Sequence, residues 1–522
     1  MNDFVIGDIV RRHARRFPDK PALIYGDRKQ TWRQLDRKTN KIANMLLSSG
    51  LKKGDRVAIL DENSDKYIEL YYALAKSGII ATPINYRLSS GEIANLLSSS
   101  RPNILFVGKP YFETINSLKP QLKSIKRYIA IEEPLDWLED YQEAISSYPE
   151  TDPNIDVDEN DVFAIMYTSG TTGLPKGALC THRNYVCNGL IVNIADHGTR
   201  DDVNLIISPL YHAGALFYSV TYMYLGCTQV VMRRFNTTEV LRYIQDERAS
   251  ACLLIPTMLN FILNDPNFSK YDVSGLRHLY YGGGPMPLPL LKKALELLPN
   301  VEFTQGYGLT ETLETNLLLP SDHVLEGTES QMKKLNSAGP ETPLGETRVV
   351  DDDGNDLPYG EVGEIWVKGP AVIPEFWENP EATANEIQEG WFKTGDLGYM
   401  DEERYLYVVD RKKDMIISGG ENIYAKEVDD TLYTHSAVLE AATIGVPDKD
   451  WGESVKAVVV LKKGMTVTEQ EIIDFCKKNL AGYKKPRSVD FVDELPKTAS
   501  GKILKRELRD KYWEGGYKKP NS

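Results

Sequence analysis

The chain of 522 residues has only five cysteines, Cys180, Cys187, Cys227, Cys252 and Cys476, odd in number and without a C-x-x-C pair. That excludes a disulfide framework and a cysteine-paired zinc site, and it is the usage of a reduced, cytoplasmic chain. Positive charge is also in short supply. The net charge of −14 argues against nucleic acid or an anionic membrane as the main partner, because either requires a basic face. Long apolar runs are missing too. The longest charge-free span, 209–232, holds His212 and Gln229 and is interrupted by Gly214 and Gly226. A membrane helix needs about 20 predominantly apolar residues, so the span predicts a buried helix followed by a strand, and no integral membrane segment. The N-terminal MNDFVIGDIVRRHARRFPDK has no apolar h-region and carries Asp3 and Asp8, so neither a secretory signal nor a transit peptide is expected. There is no internal repeat and no low-complexity segment.

What is present is the composition of a globular protein, 42% apolar and 26% charged, at a length that implies roughly two to four domains. Short β-branched runs alternate with helical patterns. RVAIL (56–60) leads to a helix closing at Gly78, then IIATPI (79–84), a helix capped near Ser90, and NILFVG (103–108). After a polar link near 146–160 the pattern resumes, with strands expected at 162–166, 203–208, 228–232, 252–255, 276–281 and 301–304, and a helix capped by Asn236. Such alternation implies parallel strands joined by crossover helices. Past about residue 340 the texture changes to short strands punctuated by Gly and Asp. After VVDRKKD (408–414) a compact αβ run follows, whose helix opens with a capping box, Thr468 to Glu471, and closes at Gly482. The expected fold is α/β. A large N-terminal domain, 1–412, has parallel α/β subdomains and a short-stranded β subdomain, and a small mobile α+β domain spans 413–522.

Three small-residue loops end expected strands: 168–177, 282–285 and 306–311. In open α/β sheets ligands sit beyond the carboxyl ends of strands, so the three are expected to face one pocket. The first, in YTSGTTGLPKG (167–177), has the composition of a phosphate loop, since glycines let backbone N–H groups approach phosphate oxygens and hydroxyls add donors. It is not the P-loop of NTPases. Gly170 stands six before Lys176, but Pro175 occupies the second glycine position and Gly177 stands where Ser or Thr would bind Mg²⁺.

Several separated segments resemble, in order, the adenylate-forming superfamily of acyl-CoA synthetases, luciferases and nonribosomal-peptide adenylation domains. They are YTSGTTGLPKG, PLYHAG (209–214), GYGLTET (306–312), GWFKTGDLG (390–398), DRKKDMIISGGENI (410–423) and PKTASGKILKREL (496–508). TWRQL (31–35) and GDRVAI (54–59) extend the likeness to the N-terminal third, so that it spans essentially the whole chain.

The resemblance implies a two-step reaction: a carboxylate attacks the α-phosphorus of ATP and expels pyrophosphate, then a thiol displaces AMP to give a thioester. Bringing an anion to a polyphosphate makes catalysis largely charge neutralisation and positioning. On this resemblance Thr168, Ser169, Gly170, Thr171, Thr172, Gly173 and Lys176 grip the β- and γ-phosphates. Gly283, Gly284 and Pro285 lie along adenine and the acyl group, and Gln305, Gly306 and Gly308 flank Tyr307, which stacks on adenine. Thr310 binds the α-phosphate and Glu311 is the Mg²⁺ ligand, a hard cation wanting oxygen. Asp396 and Arg411 hold the ribose, and His212 orients the acyl group. Lys502 bridges the attacking carboxylate and the α-phosphate.

The same likeness implies that the small domain rotates about Lys413 after adenylation, withdrawing Lys502 and bringing in SGGEN, where Gly419 and Gly420 line the pantetheine tunnel. Trp451 resembles a pantetheine-packing position, and the basic turn GYKKPR supplies Tyr483, Lys485 and Arg487 for the CoA phosphates. Expected partners are a small carboxylic acid, ATP with Mg²⁺, and CoA; a homodimer is left open. No Arg or Lys in ALFYSVTYMY or YYGGG answers a second substrate carboxylate. A monocarboxylic acid with an apolar tail is therefore expected, a fatty acid first and an aromatic benzoate- or cinnamate-type acid next. A carrier-protein adenylation module, a luciferase and a noncatalytic nucleotide-binding module are the competing functions. Glu375-Phe376, where the family commonly has Gly-Tyr, is expected to lie away from the chemistry.

Overall fold

The computed structural model describes residues 4–168, 175–497 and 502–513, and among them four sheets carry the architecture. The first sheet has the strand order Glu139–Asp140, Arg127–Ala130, Ile104–Val107, Arg56–Leu60, Ile80–Pro83, Val162–Thr168, Lys176–Thr181. All its pairings are parallel except the last, an antiparallel hairpin. Strands such as Ile104–Val107 are buried at every position, as expected where helices cover both faces. The helix Asp65–Ser77 ends at Gly78 in the left-handed conformation, φ +66°, and Ser89 caps Ser90–Ser100 with a reciprocal Glu92.

The second sheet runs Leu313–Leu318, Glu302–Leu309, His278–Gly282, Ala251–Leu254, Val203–Ile206, Thr228–Val231, Pro21–Tyr25, Arg28–Thr31. Its centre is parallel and its two ends are antiparallel. The charge-free span divides as expected, into the helix Ala213–Leu225, ended by Gly226 at φ +85°, and the strand Thr228–Val231. Asn236 caps Thr237–Asp246 by accepting from Glu239 N. None of the helices is long and apolar enough to cross a membrane, among the described residues.

The third sheet is the short-stranded one, antiparallel, built from Glu346–Val350, Gly363–Lys368, Ile387–Gln388, Trp391–Met400 and Leu406–Arg411. Sheet membership changes between Arg411 and Ile416, where the fourth sheet begins. That sheet has its own apolar layers on its two faces, one around Val428, Val455 and Ile472 and one around Ile444, Val458 and Leu508. The Thr468–Glu471 capping box is present. Its helix stops at Asn479, three residues before the expected Gly482, because Leu480 already has an extended backbone.

One expectation needs correcting. Gly306-Tyr307-Gly308 is not a turn; it lies inside the strand Glu302–Leu309, and the reversal follows at 310–312. The glycines serve close approach. A Cβ on Gly308 would stand 1.5 Å from Leu313 O, and one on Gly306 would stand 1.8 Å from Tyr280 Oη.

Candidate active site

The site forms where the second sheet meets the first, the third and the C-terminal lobe. Thr168 ends its strand and donates from Oγ1 to Glu311 Oε1 at 2.9 Å, tying the start of the phosphate-type loop to the hairpin at 310–312. Burial raises the Glu311 carboxyl above the usual range, against the opposing pull of that hydrogen bond. Thr310 is half-buried in the same reversal. Ser169, Gly170, Thr171, Thr172 and Gly173 lie outside the described residues. Lys176, at the far side of the loop, is ion-paired to Glu386, and its ammonium stands 5.5 Å over the Phe376 ring.

Phe376 therefore does not lie away from the site. Leu179 N donates to Glu375 O and Trp377 N to Gly177 O, so this segment lies against the strand that leaves the loop.

From the third sheet come Asp396 and Arg411, directly paired across their strands, with Arg411 Nε 2.8 Å from Asp396 Oδ1. Tyr307 donates its hydroxyl to Asp396 Oδ2 at 2.9 Å. Burial pushes the Asp396 carboxyl up while Arg411 opposes it, and Asp396 in turn raises the guanidinium. Gln305 and Gly306 pair in register with Tyr281 and Gly282, so the GYG segment and the 282–284 segment run side by side. Gly283 has φ +75°, Gly284 faces open space, and Pro285 follows.

Lys502 enters this cluster from the C-terminal lobe. Its Cε is 3.6 Å from where a Cβ on Gly283 would stand. Burial, then repulsion from Arg411, lowers its ammonium to about 8, while Asp396, Glu314 and Glu311 act to raise it. His212 caps the helix Ala213–Leu225, with Nδ1 accepting from Gly214 N at 3.3 Å, so Nε2 carries the proton. Burial and the nearby Lys502 lower it to about 4, leaving a neutral imidazole at neutral pH. One lysine and one arginine are thus gathered with glycines and carboxylates. This arrangement can neutralise a multiply charged anion and align it.

The residues expected to meet CoA form a second group on the small lobe. Gly419 has φ +61° and donates its N–H to Trp451 O at 2.8 Å, and a Cβ there would stand 2.3 Å from Trp451 Cε3. Gly420 is exposed with φ +87°. Arg487 lies 4.8 Å over the exposed Trp451 ring and 3.5 Å from Asp448. Tyr483 is exposed and Lys485 half-buried beside Lys484, which pairs with Glu427. Lys413 is exposed, between Arg411 and the first strand of the lobe.

Sequence reasoning missed Tyr280, Glu314, Phe376 and Glu386. Glu314 was legible as a second carboxylate in TETLETN, but its direction depends on Leu313, whose left-handed backbone, φ +46°, costs about 1–2 kcal/mol for a non-glycine residue.

Comparison with known proteins identifies the family of the chain. Residues 10–377 match the AMP-binding enzyme family and residues 427–502 its C-terminal domain. A feruloyl-CoA synthase from an Amycolatopsis species is 38% identical, over 97% of this chain and 99% of its own. A long-chain-fatty-acid–CoA ligase of Mycobacterium tuberculosis is 36% identical, over 97% and 98%. The solved anthranilate CoA ligase AuaEII, in complex with anthranoyl-AMP, superposes with a TM-score of 0.90 at 27% identity, over 97% of each chain. The chain belongs to the AMP-binding enzyme family, within the adenylate-forming superfamily. It is an enzyme of that superfamily's AMP-forming ligase class.

Proposed function

We propose that the chain joins a monocarboxylic acid to CoA through an acyl-adenylate, releasing pyrophosphate and then AMP. The observation that carries this is Lys502, borne by the small lobe yet seated at Gly283 among Asp396, Arg411, Glu311 and Glu314. In this reading its ammonium bridges the attacking carboxylate and the α-phosphate, lowering their mutual repulsion in the transition state. Thr310 supports the α-phosphate, and residues 168–176 take the β- and γ-phosphates, Lys176 exchanging Glu386 for phosphate. Asp396 and Arg411 receive the ribose hydroxyls, and Tyr307 covers adenine with Gly283, Gly284 and Pro285.

Mg²⁺ fits Glu311. The donor is a carboxylate oxygen, and no group of three or more His, Cys, Asp or Glu forms a cage among the described residues. Magnesium characteristically takes one or two carboxylates plus substrate phosphates. When bound it would supply charge for the departing pyrophosphate; Thr168 orients the carboxylate that would hold it.

Thioester formation then requires Lys502 to leave and the Gly419, Gly420 and Trp451 group to arrive, by rotation at Lys413. Tyr483, Lys485 and Arg487 would meet the CoA phosphates. A cytoplasmic location fits five unpaired, buried cysteines. A fatty acid was the first expectation for the substrate. An aromatic acid of the benzoate or cinnamate type is the alternative. The reading is tested by AMP release from ATP and Mg²⁺ across a panel of acids, with and without CoA. AMP formation must need both acid and thiol; turnover that ignores either would contradict it.

A further inference from the structure

Glu314 has no task in the proposed reaction, yet the fold takes trouble over it. It follows Leu313 at φ +46° and sits opposite Gly308, next to a register shift between Tyr307 and Gly308. Bulges of this kind re-aim side chains beside functional sites. Its backbone is held on both sides by the buried Asn188, whose Nδ2 donates to Glu314 O at 2.7 Å and whose Oδ1 accepts from Glu314 N at 3.3 Å.

The side chain meets Tyr280 over Gly306. A Cβ on Gly306 would stand 2.5 Å from Glu314 Oε2 and 1.8 Å from Tyr280 Oη, so the absence of a side chain at 306 is what lets the two oxygens converge. Tyr280 is 1% exposed, and its hydroxyl meets the Glu314 carboxylate as its partner. Glu314 is half-buried, with Lys502 close enough to favour its charged form, while burial pushes the carboxyl up to about 7.

A carboxylate is an odd neighbour for a place where a substrate carboxylate and a triphosphate must meet, since like charges repel and a buried unpaired charge is costly. A service to Lys502 alone explains it poorly. Asp396 and Glu311 already act on that ammonium, and once Lys502 withdraws, Glu314 would be left half-buried with Tyr280 alone. A carboxylate accepts at two oxygens, more than the one Tyr280 hydroxyl can fill, and is instead a receptor for a donor.

We propose that Glu314, with Tyr280, receives a hydrogen-bond-donating substituent of the acyl group, so that the preferred acid carries a hydroxyl or amino group. This rests on the ligase reading above and narrows its substrate. Because Glu314 lies near Lys502, which the ligase reading sets at the carboxyl group, that substituent stands within a few bonds of it rather than at the end of a long chain.

The test uses the full-length enzyme with ATP, Mg²⁺ and CoA, and acids differing only in the donor: benzoate against its hydroxy and amino isomers, and butanoate against its 3-hydroxy and 3-amino forms. In the unmodified enzyme kcat/KM for the best donor acid should exceed that of its parent by about a hundredfold or more, because a site built to hydrogen-bond rejects the analogue lacking the group. Glu314→Leu should collapse that ratio to near unity, the donor acid losing far more than its parent. Glu314→Gln, which retains an acceptor oxygen and nearly the same shape, should keep part of the preference for the hydroxy acid and lose that for the amino acid; it carries the test if the Leu variant fails to fold. Equal turnover of donor and parent acids by the unmodified enzyme would overturn the inference. So would a uniform loss for both in the variants, the mark of a counter-ion to Lys502. If no acid of any kind releases pyrophosphate, the ligase reading itself falls and takes this one with it.

Discussion

Arg411 Nε stands 2.8 Å from Asp396 Oδ1, and the two residues are direct partners across the strands Trp391–Met400 and Leu406–Arg411. Arg411 is also the last residue of the third sheet before the chain enters the C-terminal lobe. One half of the proposed ribose clamp therefore adjoins the proposed pivot, Lys413. Asp396→Asn keeps the shape but removes the charge that orders Arg411 and accepts from Tyr307. It is expected to raise KM for ATP by roughly ten- to a hundredfold, a loss of about 1.4–2.8 kcal/mol of binding, with a smaller change in KM for the acid. Steady-state kinetics with each substrate varied in turn distinguishes this from a general loss of folding, which lowers the active fraction and leaves both KM values in place.

The alkaline limb of adenylation should belong to Lys502. Its ammonium is lowered to about 8, chiefly by burial. The charged form is the useful one, so kcat/KM for pyrophosphate release should fall as pH rises through about 8, and hold between pH 7 and that point. The kcat/KM profile reports groups of the free enzyme, and kcat those of the loaded complex. Bound phosphates favour the ammonium, which moves the limb in kcat to higher pH. Lys502→Arg, always charged, should lose the limb in whatever activity remains. The pH dependence of ATP–pyrophosphate exchange is the measurement.

Gly419→Leu should separate the half-reactions. The backbone at 419 is left-handed, and a side chain there would run into the Trp451 ring. Both effects are confined to the small lobe and leave the Lys502 cluster intact. Pyrophosphate release is expected within about threefold of the unmodified enzyme, with thioester formation down by at least about tenfold (about 1.4 kcal/mol of barrier). Quenched-flow measurement of acyl-AMP and acyl-CoA in one reaction checks it; parallel loss of both would remove the assignment.

Much of this was legible in the chain. Alternating apolar runs and helical patterns indicated the two large sheets, because buried parallel strands read as unbroken β-branched segments such as RVAIL and ILFV. The glycine-rich segments are visible in the chain, but the one at 306–308 reads as a turn where the fold has a strand. Whether a glycine reverses the chain or admits a neighbour depends on Tyr280 Oη and Leu313 O, which come from other strands. Phe376 was misplaced for the same reason, since only the folded chain sets it beneath Lys176. Lys502, a lysine near the end of the sequence, acquires its position through the packing of a whole lobe. The likeness to a known family, and no local pattern, pointed to it.

In the proposed reaction Lys502 serves adenylation and then departs. Lys502→Ala, supplied with ATP, Mg²⁺ and acid, is expected to lose pyrophosphate release by about 10²–10³-fold, the scale of removing one preorganised charge-stabilising donor. Given the acyl-adenylate and CoA, the same variant is expected to make thioester within about threefold of the unmodified enzyme, a difference of about 0.7 kcal/mol in barrier. Comparable loss of both half-reactions, or adenylation that survives without the lysine, would contradict the account.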